Sequence, residues 1–237
     1  MAVLASETWT GSNGAAWPAQ WTGTLGTGAS RTIQSNRGRL TPINSAWSGD
    51  ARAYLDGMAA TADVDIVVNA LAPSPGNIYF AVAARCDGVP VDSFNPQTGY
   101  AVEFGEGNWT VKKHKDFART DLGSGSYALS STVATWMRFQ VQGTALRFRA
   151  WQDGATEPTS WTWTGTDSEI ATGKVWLAAT NGGTPSSVSF DSLTVSSIAG
   201  GTPPPTETAD CTVRIGGVLV PAVTRYRLGG VLVPAPA

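Results

Sequence analysis

The 237-residue chain is poor in the residues that most often announce chemistry, with two cysteines, Cys86 and Cys211, and one histidine, His114. Two cysteines build no disulfide framework, and a lone histidine beside them supplies no zinc site, so both thiols are expected to be incidental. Charge is scarce as well. Asp, Glu, Lys and Arg make up 14% of the chain, and 16 basic against 18 acidic side chains leave a formal net charge of -2. Apart from "KKHK" at 112–115 there is no basic cluster, which argues against duplex nucleic acid or an anionic membrane surface as partner. No run approaches the roughly 18 apolar residues of a membrane-spanning helix. The opening "MAVLASETWTGSNG" has neither the basic region nor the apolar core of a secretory signal. The protein is therefore expected to be made in the cytoplasm without a signal peptide and to stay soluble, or to leave by another route.

Catalytic signatures are missing too. Glycoside cleavage needs two carboxylates flanking the scissile bond, and on a strand they would alternate on one face, as in Glu-x-Asp-x-Glu. The nearest patterns are Asp63 with Asp65, and Glu103 with Glu106, whose spacing of three puts them on opposite faces or across a turn. No Ser sits in a Gly-x-Ser-x-Gly elbow, and His114 among lysines has no nucleophile partner. These absences predict no enzyme, with no catalytic residues to name.

What the chain does have is glycine, 27 residues of it, and short alternating runs between turn residues. "TADVDIVVNAL", "NIYFAVAARC", "GYAVEF", "WTVKKH", "WMRFQVQG", "ALRFRAWQ", "KVWLAAT" and "VSFDSLTV" are strand-length and rich in β-branched and aromatic residues. They are bounded by turns such as Asp87-Gly88, Gly107-Asn108 and Asp153-Gly154, and no window carries a helical stripe. The prediction is an all-β sandwich over residues 1–198. "AGGTPPPTETAD", 199–210, reads as a stiff Pro/Gly-rich linker, and 211–237 as a separate module. All ten tryptophans precede the linker.

The string from Leu146 to Ser197 runs Arg149-x-Trp151, Asp153-Gly154…Glu157-Pro158…Trp161, Gly173-x-Val175-x-Leu177 and Phe190-Asp191-x-Leu193-x-Val195. In this order it resembles the C-terminal half of a concanavalin A-like (laminin G-like) jelly-roll domain. "ETWTGSNGAAWPAQWT" resembles the first strand and Trp-containing loop of such domains, and "GYAVEFGEGNWTVKKH" their central hairpin. The resemblance covers roughly residues 5–198 and implies a jelly-roll β-sandwich. It also implies that a structural calcium, should one be present, would lie near Glu7 and Asp191; otherwise no cofactor is expected. Jelly roll, Pro-rich linker and terminal repeat together resemble a minor tail protein of actinobacteriophages. That likeness implies a non-enzymatic tail component of the virion, made in the host cytoplasm, with other tail proteins as partners. Two alternatives stay open: a free carbohydrate-binding, lectin-like module, and a glycoside hydrolase of the same fold.

Tryptophan and tyrosine faces stack on sugar rings, so the aromatic residues are where a host cell-wall glycan would be sought. Trp9, Trp21, Trp136, Trp151 and Trp176 fall within or beside strand patterns and are expected in the core. Trp47 in "SAWSGD" and Trp109 in "GNWT" sit among turn residues and are expected to reach solvent; Trp161 and Trp163 share one face of a strand. Period-two alternation sets Ile78, Phe80, Val82 and Ala84 against Tyr79, Ala81, Ala83 and Arg85, and Tyr100, Val102 and Phe104 against Ala101 and Glu103. Tyr79, Arg85 and Glu103 thus fall on a second, groove-side face, as a weakly polar binding groove or as an Arg–Glu cross-strand pair on a solvated sheet.

The C-terminal module contains GGVLVPA twice, at Gly216 and Gly229, a shift of 229 − 216 = 13. Each copy has a strand ending at Ile215 or Leu228, a Gly-Gly turn, and a return strand stopped by Pro221 or Pro234, the pattern of a small hairpin. A two-stranded hairpin is marginal in water. Ile215, Val218, Val220, Leu228, Val231 and Val233 are therefore expected to dock, on copies of the chain in a homotrimer, on the tail body or on the chain's own sandwich, the Pro-rich spacer favouring the first two.

Overall fold

The computed structural model describes residues 1–23, 25–42, 50–72, 78–87, 96–105, 107–181 and 186–198, and the strand backbones 212–215, 218–221, 225–228 and 231–234. The chain divides into two compact units, Met1–Pro204 and Pro205–Ala237. Among the described residues every regular element is a strand.

Two antiparallel sheets make the first unit. The larger has the order β13 (Trp163–Thr166), β12 (Ala145–Gln152), β11 (Thr135–Gln142), β6 (Val64–Leu71), β15 (Val188–Ser197), β4 (Gly38–Thr41), β3 (Ser30–Ile33), with β1 (Val3–Glu7) also paired to β15. The smaller runs β10 (Ala118–Ser126), β9 (Asn108–Lys115), β8 (Gly99–Gly105), β7 (Ile78–Cys86), β14 (Lys174–Asn181), β5 (Ala51–Leu55), β2 (Trp21–Thr22). Sequence neighbours pair within β7–β8–β9–β10 and β11–β12–β13, whereas β6, β14 and β15 join strands distant in sequence. That interleaving ties both sheets into one sandwich.

Alternation decides the core. Ile78, Phe80, Val82 and Ala84 of β7, and Tyr100, Val102 and Phe104 of β8, face Ile66, Val68, Phe139, Phe148 and Phe190 of the larger sheet and are buried with them. Phe80 stacks on Phe104 at 5.2 Å, and Phe104 meets Phe148 edge-on at 5.6 Å. Trp9, Trp17 and Trp21 gather with Phe190 at centroid distances of 5.0 to 6.3 Å. This fits the opening Trp-containing loop inferred from sequence. Trp109, expected in solvent, is 6% exposed. Its ring meets Phe148 at 5.3 Å, and a Cβ on Gly125, its partner across β10, would fall 2.7 Å from it. The bare backbone of β10 is what admits a turn-flanked indole to the core.

One end of the sandwich is closed by polar side chains. Arg85 does not sit on the groove-side face that strict alternation predicts. It has φ 52, its register with β14 is interrupted between Lys174 and Trp176, and the next residue, Cys86, takes the outer face instead. The guanidinium, 1% exposed as a residue, donates to the carbonyls of Ala62 (2.6 Å), Ile170 (2.6 Å) and Gly143 (2.8 Å) and lies 3.4 Å from Asp63. It thereby joins the smaller sheet to loops of the larger one. "KKHK" splits by the same alternation. Lys113 bonds Asp167 at 2.9 Å and Glu169 at 2.5 Å in this seam, where the Tyr100 hydroxyl donates to Asp167 at 2.5 Å, whereas Lys112 and His114 turn to the outer face. Cys86 is a buried free thiol, its pKa pushed up by burial, which fits the incidental role expected of it.

In the second unit β16 (Thr212–Ile215) pairs with β17 (Val218–Pro221), and β18 (Arg225–Leu228) with β19 (Val231–Pro234), as two separate antiparallel ladders in identical register. Ile215 faces Val218 and Leu228 faces Val231 across them; Val220 and Val233 oppose Val213 and Tyr226. These are the hairpins read from the repeat. The side chains of the six proposed docking residues, and linker 199–210, lie outside the described residues.

Candidate functional site

The outer face of the smaller sheet is unusual for a face turned away from the core, because it is buried and carries polar groups. Tyr54 and Trp176 meet there at 4.6 Å between ring centroids, each at most 2% exposed. Beside them Ala178, Ala81, Ala83 and Ala101 form a floor of small residues across β14, β7 and β8. Beyond the floor, Glu103 of β8, Lys112 and His114 of β9, and Arg119 and Asp121 of β10 form a charged wall. On the opposite flank Arg52 of β5 stands 3.5 Å from Asp50. A solvated sheet face would leave such groups in water. Here Glu103, Lys112, His114, Arg52 and Asp50 are all under 9% exposed.

The electrostatics of the wall are set by this burial. Glu103 Oε2 accepts from Lys112 Nζ, while its Oε1 has no hydrogen-bond donor among the described residues and faces His114 Nε2 at 3.9 Å. Burial raises the Glu103 pKa, and Lys112 opposes the rise. Burial, then the charges of Lys112 and Arg119, push His114 down to about 4, so it is a neutral imidazole at pH 7. Asp121 is held below its ordinary value by the hydrogen bond from Arg119. Trp176 Nε1 and His114 Nε2 are also buried without a hydrogen-bond partner among the described residues. One face thus combines two buried aromatic rings, a small-residue floor and three polar atoms without a hydrogen-bond partner among the described residues, with Tyr79 as its half-buried aromatic edge.

Of the residues picked from sequence, Tyr79 and Glu103 lie on this face; Tyr79 is half-buried, its ring over Gly105, where a Cβ would fall 2.0 Å away. Arg85 is in the seam, so there is no Arg85–Glu103 pair: Glu103 takes Lys112, and Arg85 takes Asp63. Trp109 is in the core. Trp47 lies outside the described residues. Glu7 spends Oε1 on the amides of Thr8 and Trp9 and Oε2 on Gln20, and Asp191 pairs with Arg37 at 3.1 Å. Calcium takes six to eight oxygens. These two carboxylates, each already engaged, do not make that cage, and no group of three or more His, Cys, Asp or Glu suited to a metal occurs among the described residues.

Sequence reasoning missed the pairing of Tyr54 with Trp176, because alternation alone does not say that an outer face is covered. It also sent Trp136 and Trp151 to the core. Both are half-buried on the outer face of the larger sheet, directly opposite each other on β11 and β12.

No protein-family model matches the chain, and no curated protein sequence matches it. Solved structures do. The carbohydrate binding module CBM66 from Bacillus subtilis aligns with a TM-score of 0.54 at 17% identity, over 75% of this chain and 96% of that one. The exoplasmic/lumenal domain of VIP36, in a form bound to Ca2+ and Man3GlcNAc, aligns at 0.59 and 13%, over 81% and 89%. The laminarinase from Rhodothermus marinus aligns at 0.58 and 12%, over 82% and 96%. At these identities the likeness concerns the fold, which is the jelly-roll sandwich expected from the motif order.

Proposed function

We propose that the sandwich is a carbohydrate-binding domain whose ligand is held without being cleaved, at the half-buried edge of the smaller sheet's outer face marked by Tyr79 and Glu103. The observation that carries this reading is Tyr79, half-buried on the outer face, beside Glu103, whose Oε1 has no hydrogen-bond donor among the described residues. Its support from likeness is that a carbohydrate binding module, a domain bound to Man3GlcNAc and a laminarinase share the fold. The test is affinity electrophoresis of the full chain through laminarin, xylan, yeast mannan and actinobacterial cell-wall polysaccharide, with and without calcium. Retardation by at least one, weakened in Tyr79→Ala and Glu103→Gln, is expected. Unretarded migration in every gel sinks the reading.

A hydrolase is the second reading, favoured by one observation. Glu103 and Asp121 share the face, and their environments move their pKa values in opposite directions, as in an acid–base pair. Against it stands Lys112, which ion-pairs with Glu103 and lies opposite Asp121 in the register. Release of reducing ends from any of the four polysaccharides, lost in Glu103→Gln, decides for cleavage.

The finer reading is that this domain serves in an actinobacteriophage tail, attaching it to the host surface as a homotrimer. It rests on the Pro-rich spacer and the doubled hairpin, two units that cannot bury a core alone. Sedimentation of the full chain is expected to give a trimer that Val218→Lys with Val231→Lys dissociates. A monomeric wild type removes the assembly role.

A further inference from the structure

The outer face of the larger sheet presents a different surface. Trp136 and Trp151 are directly opposed across β11 and β12, and their rings lie 6.2 Å apart with planes within 11° of parallel. Neither belongs to the buried core, and both are partly open to solvent. Trp136 is held in place: its Nε1 donates to Asp153 Oδ1 at 2.7 Å, and the Asp153 amide donates to Ala134 O at 2.8 Å. Continuing the same row, Trp136 is registered with Asn69 of β6, and Asn69 with Ser192 of β15. The row therefore reads indole, indole, amide, hydroxyl, with the Asn69 amide buried at 3% exposure and the other three partly open.

The neighbouring row settles the charge. Arg138 is tied to Asp65 at 3.0 Å and to Glu157 at 2.5 Å. Arg149 is tied to Glu157 and to the Pro158 carbonyl at 2.6 Å, with its guanidinium 4.3 Å from the Trp161 ring centroid. Arg147 lies two residues beyond Arg149 on the same face, farther from the indoles. The cations nearest the tryptophans are thus already neutralised, and the surface offers ring faces and dipoles rather than free charge. That complements an uncharged polyhydroxyl ligand, whose C–H faces lie on indoles and whose hydroxyls meet the exposed Asp153 carboxylate and the partly open Ser192 hydroxyl. An anionic polymer or an acidic protein would instead need unpaired cations beside the rings.

We propose that Trp136 and Trp151 form a second glycan-binding platform, on the face opposite the groove, for uncharged pyranose rings. The platform stands independently of the groove, since no residue is shared. Rings already stacked on each other, one of them tethered to Asp153, keep the ordering cost of binding low.

The test is affinity electrophoresis of the full chain in gels of laminarin, xylan and yeast mannan, with hyaluronan as the anionic comparison, for wild type, Trp136→Ala with Trp151→Ala, Trp151→Tyr and the groove variant Tyr79→Ala. At least one neutral gel is expected to retard the wild type. The double alanine variant should bind it at least about tenfold more weakly, the loss typical of removed aromatic anchors, while Trp151→Tyr, which keeps a ring face, binds nearly as wild type. Urea unfolding establishes that the double variant is folded. The proposal is overturned by a double variant retarded as wild type, by a wild type that no neutral gel retards, by retardation in hyaluronan alone, or by sedimentation in which the double substitution merely splits a dimer. Binding abolished by Tyr79→Ala and untouched by the double substitution leaves the groove and removes the platform; the reverse outcome does the opposite.

Discussion

The two outer faces of the sandwich are built from strands of similar length and alternation, yet they differ in what they do with their aromatic residues. On the smaller sheet Trp176 and Tyr54 are buried, beside buried Glu103, Lys112 and His114. On the larger sheet Trp136 and Trp151 stand half open, beside arginines whose charges are paired on the surface. Alternation assigns a residue to one side of a sheet; it does not decide whether that side is dry. The difference is one of burial, under 9% exposure for the residues of one face and partial exposure for the indoles of the other, and period-two alternation does not encode it.

Arg85 gives the largest expected effect, because the comparison depends on its not belonging to the groove. If it stood on the outer face of the smaller sheet, as alternation places it, substitution would cost little. In the seam, Arg85→Ala strips the donors from three carbonyls and leaves Asp63 without its cation. A loss of about 3 to 5 kcal/mol in urea unfolding is expected. A loss below about 1 kcal/mol returns Arg85 to the groove.

Next comes the direct contrast of the two tryptophans. Trp176→Ala opens a cavity beneath a covered face and should cost about 3 kcal/mol or more. Trp151→Ala, on the open face, should cost about 1 kcal/mol or less. Equal losses would mean that both faces are covered alike, and the distinction between them would fall.

The buried charged wall supplies a pH signature that the open face lacks. The folded pKa of His114 is about 4, below its ordinary 6.5, so between those values the native state binds fewer protons than the unfolded chain. Its contribution is fully present above pH 6.5 and is lost as the pH falls toward 4. Glu103 works in the other direction, since its raised pKa contributes stability that is lost as the pH climbs out of the carboxylate range. Stability of wild type minus that of His114→Gln should therefore grow from pH 4 to 6.5, by at most about 3 kcal/mol at roughly 1.4 kcal/mol per unit. A difference that stays flat over that interval means the imidazole is solvated and the face open.

The strands of β7, β8, β11, β12, β14 and β15 were legible as alternating runs, because each has one predominantly apolar face. β10 was not. "ARTDLGSGS" is largely exposed and its glycines look like turn residues, yet Gly123 and Gly125 are there to admit Trp163 and Trp109. Trp109 was misplaced for the same reason: its turn neighbours were visible in sequence, and the glycine gap facing it was not. Tyr79 and Glu103 were found because alternation held as far as Ala84; Arg85 was lost because a left-handed residue breaks the period, and no sequence signal marks a non-glycine at φ 52. The Lys112 and His114 part of the wall could have been seen by applying the same alternation to "KKHK", which separates them from Lys113 and Lys115; Arg119 and Asp121 lie on β10 and went unseen with it.

The smallest effect concerns Arg149, and it sharpens the contrast from the open side. Its guanidinium holds Glu157, the Pro158 carbonyl and the Trp161 ring together over β12. A lysine keeps the charge and loses the planar fork that serves all three. Because the site is near solvent, Arg149→Lys should cost only about 0.5 to 1 kcal/mol in unfolding. The informative readout is the difference emission spectrum between wild type and Trp161→Phe, which isolates Trp161 from the other nine of the chain's ten tryptophans and should shift toward that of a solvated indole when Arg149→Lys is present in both. A loss of several kcal/mol would mean that the loop through Glu157 and Trp161 seals the larger sheet as tightly as the smaller one is sealed, and the two faces would then differ in residue type alone.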